Sequence, residues 1–136
     1  MTISSVDTLV IGGGQAGLAM SAHLIKLGLP HLVLERDRIA QSWRTRRWDT
    51  LVANGPAWHD RFPDRVFSDI DPDGFATKDQ VADYFEAFAS QIDAPIREGV
   101  AVTSVARAAD GVGFHVETSQ GAIAARQVVV ATGPFQ

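Results

Sequence analysis

An apolar run, Leu9-Val10-Ile11, leads straight into Gly12-Gly13-Gly14-Gln15-Ala16-Gly17, and an acidic residue, Glu35, closes the next apolar run. The glycines at 12, 14 and 17 carry the G-x-G-x-x-G spacing whose chemistry is to hold the adenylate half of a dinucleotide. Gly12 permits a sharp turn off a strand, Gly14 lets bare backbone approach a pyrophosphate, and Gly17 lets the next helix pack closely on the sheet. The phosphates would rest on main-chain N–H groups around Gln15 and Ala16, where the start of a helix leaves amides unpaired and its dipole favours an anion. No basic side chain is needed there.

Glu35 follows Gly17 by 18 positions, close to the spacing of about 20 for the carboxylate that accepts ribose hydroxyls. A carboxylate at this point would repel a 2′-phosphate, so the site is expected to prefer FAD or NAD over NADP. The alternative, a glycine-rich turn with no ligand, does not account for strand, glycines, helix and acid falling in register.

A parallel sheet must position these residues. The helix is expected over about 15–27, stopping at Gly28 with Pro30 beyond, and a second strand follows from His31. Residues 37–76 show little periodicity, with turn signals at Asn54-Gly55-Pro56 and Asp71-Pro72-Asp73-Gly74, and irregular stretches of such length are usually functional. Thr77-Lys78-Asp79-Gln80 reads as a capping box for a helix to about Ile92, with Val81, Phe85, Phe88 and Ile92 on a face that should cover the sheet. Residues 95–98 are a short strand candidate. Residues 100–107, an Asp110-Gly111 turn, 112–118 and 121–126 read as a three-stranded antiparallel meander, and 128–131 as a separate apolar strand buried in the parallel sheet.

The 136 residues are 46% hydrophobic, which suffices for one domain, since a chain of this size buries about two thirds of its unfolded surface; a second full domain is not expected. A net charge of −4 with 21% charged residues argues against nucleic acid as a partner. The lack of cysteine excludes disulfide frameworks, zinc-thiolate sites and a redox-active dithiol within this sequence. His23, His31, His59 and His115 show no ligand spacing, so neither a metal nor a general base is assigned. No apolar run approaches the roughly 18 residues that span a bilayer, and the N-terminus lacks the basic start of a signal peptide. The expectation is a cytoplasmic protein without a membrane partner.

Taken together, the segments 11–17, Val33-Leu34-Glu35-Arg36, 42–51 with its Trp43-Arg44 pair, Asn54-Gly55-Pro56 and Ala131-Thr132-Gly133 resemble the flavin-containing monooxygenase-like flavoproteins. The resemblance covers nearly the whole chain but only the N-terminal portion of such a protein. It implies an α/β fold: a Rossmann-like FAD-binding domain of the glutathione-reductase type over 1–136, with a parallel sheet, helices and a three-stranded antiparallel meander. The NADPH domain and the C-terminal segment that returns to the flavin would lie outside it. One departure precedes Trp43, where relatives often carry Gly-Gly or Gly-acid and this chain has Ala40-Gln41.

By this resemblance FAD would be bound by Gly12, Gly14, Gln15, Ala16, Gly17, Glu35, Arg36, Trp43, Arg44, Thr132 and Gly133. Trp43 and Arg44 would pass beside the flavin, an indole suiting a ring face and a guanidinium suiting phosphate or electron-rich atoms. Core packing for Trp43 and a solvated charge for Arg44 are the alternatives. Asn54 would lie near the reactive edge of the flavin as the catalytic residue, its amide able to donate and accept; Asn-Gly is also an ordinary turn pair. The arginines at 36, 38, 44, 46 and 47 could neutralise phosphate, or face solvent and pair with Asp37 and Asp49.

The activity implied is that of an NAD(P)H-dependent flavoprotein monooxygenase or oxidoreductase, in which NADPH reduces FAD and oxygen is passed to a small-molecule substrate. The rival reading is a non-catalytic FAD- or NAD-binding module, or a truncated flavoprotein without turnover, because one fingerprint cannot hold both dinucleotides. Its protein partner would be a second copy of itself or a C-terminal half.

Overall fold

Alternation along β1 (Ser5–Ile11) sends Leu9 and Ile11 to one face of a sheet and Val10 to the other. The computed structural model describes residues 5–133; residues 1–4 and 134–136, the end of the terminal segment read above, lie outside it. α1 (Gln15–Lys26) follows the glycine loop, and its stop at Gly28, where φ is +68°, is the one the sequence signals.

The remaining strands are β2 (His31–Glu35), β3 (Ile96–Glu98), β4 (Val102–Arg107), β5 (Phe114–Thr118) and β6 (Gly121–Val130), in the order β3-β2-β1-β6-β5-β4. The β3-β2-β1-β6 portion is parallel and β6-β5-β4 is antiparallel, so the mixed α/β sheet implied by the resemblance is present. On one face Leu24 of α1 packs with Val10 and Val33. On the other, Leu9, Ile11, Leu32 and Leu34 cluster with Val116, Ile123 and Ala125 of the meander, the leucines, isoleucines and valine each contributing about 1.5–3 kcal/mol when fully buried.

The separate strand expected over 128–131 is instead the second half of β6. Residues 121–125 pair with β5 and residues 124–130 with β1, so a single strand serves both the meander and the parallel sheet. The polar pair between the two halves does not interrupt it, because Gln127 accepts from the Thr8 hydroxyl at 3.3 Å and Arg126 lies 3.6 Å from Asp7. Burial is also less than expected: Val128 and Val129 are half-buried and Val130 is exposed. β5 opens at Phe114 rather than Val112, which is exposed in a turn between Gly111 and Gly113, both at positive φ.

Ile39–Asp93 form a second compact unit. It contains the short α2 (Gln41–Thr45), within a stretch read as irregular, and α3 (Lys78–Gln91), which opens with the expected capping box at Thr77 and Gln80. The face of α3 expected to lie on the sheet carries ring contacts from its own unit: Phe62 stacks on Phe88 at 4.2 Å, and Phe85 meets Trp43 edge-on at 6.2 Å. Tyr84 stacks on Phe67 at 3.9 Å.

Candidate functional site

β1 delivers the chain into the glycine loop, and each glycine there has a separate reason. Gly12 takes φ of +109°, and a side chain on it would strike the carbonyl of Ala131. Ala131 is held in place by its N–H donating to Ile11 O at 2.8 Å. The Ala131-Thr132-Gly133 segment therefore passes directly against the fingerprint loop, with Thr132 and Gly133 exposed and Gly133 at φ +79°. A side chain on Gly17 would strike the carbonyl of Gly12, so this glycine sets how closely α1 approaches the strand.

Gly14 differs from both. Nothing lies within 4 Å of where its Cβ would stand, and its backbone is extended, with φ of −86° and ψ of −159°. It is the N-cap of α1, no side chain caps that helix, and no acidic residue occupies its first turn. Gln15 and Ala16, which carry the first-turn amides, are exposed. An open approach to bare amides at the positive end of a helix fits a diphosphate.

Glu35, at the end of β2, turns its carboxylate back to the loop. The N–H of Gly13 donates to Oε1 at 3.2 Å and the N–H of Asp37 donates to Oε2 at 2.7 Å. Two amides thus fix the carboxylate while each oxygen retains a lone pair for a ribose hydroxyl. Gly12, Gly14, Gln15, Ala16, Gly17, Glu35, Thr132 and Gly133 all belong to the first unit. Arg36 is exposed at the rim of β2, with its Nε 3.5 Å from Asp37.

Trp43, Arg44 and Asn54 belong to the second unit. Trp43 is half-buried, and one face of its indole takes the Arg47 guanidinium at 5.0 Å. Arg44 pairs with Asp83 at 2.9 Å and Glu86 at 3.2 Å, on successive turns of α3, rather than with Asp49, which takes Lys78. The hydrogen bond to Asp83 holds the Arg44 guanidinium above its ordinary pKa, against the opposing effect of burial. Asn54 is exposed. It precedes Gly55, whose N–H donates to Oδ2 of Asp60 at 2.8 Å.

Two features escaped the sequence reading. Ala40 adopts the left-handed conformation, φ +65°, as the N-cap of α2. Asp60 braces the Asn54-Gly55-Pro56 turn, and no local pattern marks it for that role. His31 is a structural histidine: its Nδ1 lies 3.0 Å from the carbonyl oxygen of Leu29, which only accepts, and its Nε2 lies 2.7 Å from the buried Ser21 hydroxyl. Among the described residues no helix is long and apolar enough to cross a membrane.

Over residues 9–136 the sequence matches the family described as pyridine nucleotide-disulphide oxidoreductase. It is 41% identical over 132 residues to an uncharacterized CzcO-like oxidoreductase of Geobacillus kaustophilus, covering 96% of this chain and 37% of that protein. Identity to the indole-3-pyruvate monooxygenase YUCCA1 of Oryza sativa subsp. japonica is 35% over 127 residues, covering 92% and 31%. A flavin-containing monooxygenase from Stenotrophomonas maltophilia superposes with a TM-score of 0.82 at 26% identity, covering 96% of this chain and 39% of that one. A steroid monooxygenase bound to NADP superposes with a TM-score of 0.85 at 25% identity, covering 98% and 27%. The chain thus spans about a third of the length of the curated relatives it matches. It belongs to the pyridine nucleotide-disulphide oxidoreductase family, as the N-terminal FAD-binding part of a flavin monooxygenase-like oxidoreductase.

Proposed function

We propose that this chain holds FAD in an NAD(P)H-dependent flavoprotein that oxygenates a small molecule. The observation that supports the reading most is Gly14: open space where a Cβ would stand, at the uncapped start of α1, opposite a carboxylate fixed by two amides. In this reading the diphosphate lies on the first-turn amides of α1 and the adenosine ribose on Glu35. Thr132 and Gly133 carry the main chain past the same loop. When bound, FAD supplies the redox chemistry, accepting hydride equivalents and activating oxygen. By the resemblance, the Asn54 amide and the Trp43 indole would serve the flavin ring; within their own unit Trp43 carries the Arg47 guanidinium on one face. Arg44 holds α2 to α3 through Asp83 and Glu86, and so supports Trp43 rather than phosphate.

The sequence contains one glycine fingerprint, which favours a second reading of this chain alone, a flavin holder without turnover. One experiment addresses both. The purified chain is loaded with FAD, freed of excess, and mixed with NADPH without oxygen. Retained yellow that bleaches supports turnover. Yellow that persists supports the holder, and a colourless protein that binds NAD overturns the flavin assignment.

A further inference from the structure

We propose that Asp60 is the positioning residue that presents Asn54. The inference rests on the reading above in which the Asn54 amide faces the flavin. Asn54 is exposed, so the main chain that carries it sets where its amide points. That main chain is a closed loop. Gly55 donates to Oδ2 of Asp60 at 2.8 Å, while the N–H groups of His59 and Asp60 both donate to Pro56 O, at 2.9 and 3.0 Å.

Three further observations make Asp60 the keystone of this loop. A side chain on Gly55 would run into the Asp60 carboxyl group, so glycine at 55 and aspartate at 60 are matched in shape as well as in hydrogen bonding. Oδ1 of Asp60 lies 2.8 Å from Nδ1 of His59, which fixes the carboxylate plane and leaves Oδ2 for Gly55. The loop is anchored from below, because Ala57 N–H donates to Gly74 O at 2.8 Å and Trp58 N–H to Pro72 O at 3.0 Å, and Ala57 is buried. With its far side tied down, the remaining freedom of the turn is at Asn54-Gly55, where Asp60 acts. A charged acceptor on a backbone amide is among the stronger hydrogen bonds.

The test uses the full chain loaded with FAD. Asn54→Ala, Asp60→Ala, Asp60→Asn and the Asn54→Ala/Asp60→Ala double variant are compared by the position of the long-wavelength flavin absorption band and by flavin fluorescence. Asp60→Ala is expected to shift the band in the same direction as Asn54→Ala. Asp60→Asn, which keeps an acceptor for Gly55, should restore the wild-type spectrum, and the double variant should match Asn54→Ala alone. If Asp60→Ala does not fold, Asp60→Ser, whose hydroxyl is too short to reach Gly55, carries the same expectation. A wild-type spectrum in Asp60→Ala or Asp60→Ser, alongside a shifted one in Asn54→Ala, overturns the role of Asp60. An unshifted spectrum in Asn54→Ala overturns the reading of Asn54 on which the role depends.

Discussion

Glu35 and Gly13 are joined across 22 residues of sequence by a hydrogen bond of 3.2 Å from the amide to the carboxylate. The acid that would hold a ribose is thus also the strap that binds the glycine loop to β2. With the second bond, from Asp37 at 2.7 Å, the carboxylate is oriented before any ligand arrives, and little rotamer freedom remains to be lost on binding.

Glu35→Ala is therefore expected to act twice. Loss of a charged acceptor shared with a ribose hydroxyl should weaken FAD binding by about tenfold to a hundredfold, and release of two amides should lower stability by about 1–3 kcal/mol. Flavin fluorescence titration and urea unfolding of the ligand-free chain measure the two effects. Unchanged flavin affinity together with reduced stability would show that the strap is the only role of Glu35.

The glycines separate in the same way. Gly17→Ala places a methyl on the Gly12 carbonyl, which main chain cannot yield cheaply, so the ligand-free protein should lose about 1–3 kcal/mol or more. Gly14→Ala meets open space at a backbone conformation that alanine adopts freely. Its stability should fall by no more than about 1 kcal/mol, the cost of a poorer N-cap, while flavin retention is lost. Thermal melts paired with the absorbance of the gel-filtered protein decide it; equal melting and equal yellow colour in Gly14→Ala would remove the cradle.

The fingerprint was legible because its reasons are local: strand, turn and helix N-terminus are written within nine consecutive residues. Part of the reason for Gly12 was not, because the atom that excludes a side chain there is the carbonyl of Ala131, at the far end of the described chain. β6 was read as two strands because Arg126 and Gln127 look like a polar break, and only the neighbouring strand shows that Asp7 and Thr8 satisfy them. Asp60 was invisible for the same reason, its function being fixed by an amide five residues away in an irregular loop. The α3 capping box was read correctly, since a box needs only Thr77 and Gln80.

Ala40 gives a prediction about backbone rather than side chain. Its left-handed conformation, φ +65° and ψ +11°, costs an L-residue about 1–2 kcal/mol. Ala40→Gly removes that cost, but it loses a buried methyl worth about 0.8 kcal/mol and adds freedom to the unfolded chain worth about 0.4–1 kcal/mol. The terms nearly cancel, so stability should change by less than about 1 kcal/mol although a buried group is deleted. Ala40→Val should cost clearly more, because a β-branched residue is poorly accommodated at positive φ. Urea midpoints of the two variants test this, and a valine variant as stable as wild type would contradict the assigned conformation.

Tyr84 links the second unit to pH. Its hydroxyl donates to Arg65 O at 2.6 Å and accepts the N–H of the buried Phe62 at 2.7 Å, and burial pushes its pKa above the ordinary value of 10.0. Since the folded state holds the phenolic proton more tightly than the unfolded state, the contribution is complete below pH 10 and is lost as pH rises through the folded value. Tyr84→Phe should cost about 1–3 kcal/mol at pH 7, because the Phe62 amide and the Arg65 carbonyl lose their partner. The same variant lacks the ionisable group, so its stability should fall less steeply above pH 10 and the gap to wild type should narrow. Urea unfolding between pH 7 and 11 measures the gap directly: a gap that stays constant over that range would mean that the phenol ionises equally readily in both states, and that burial does not hold the proton in place.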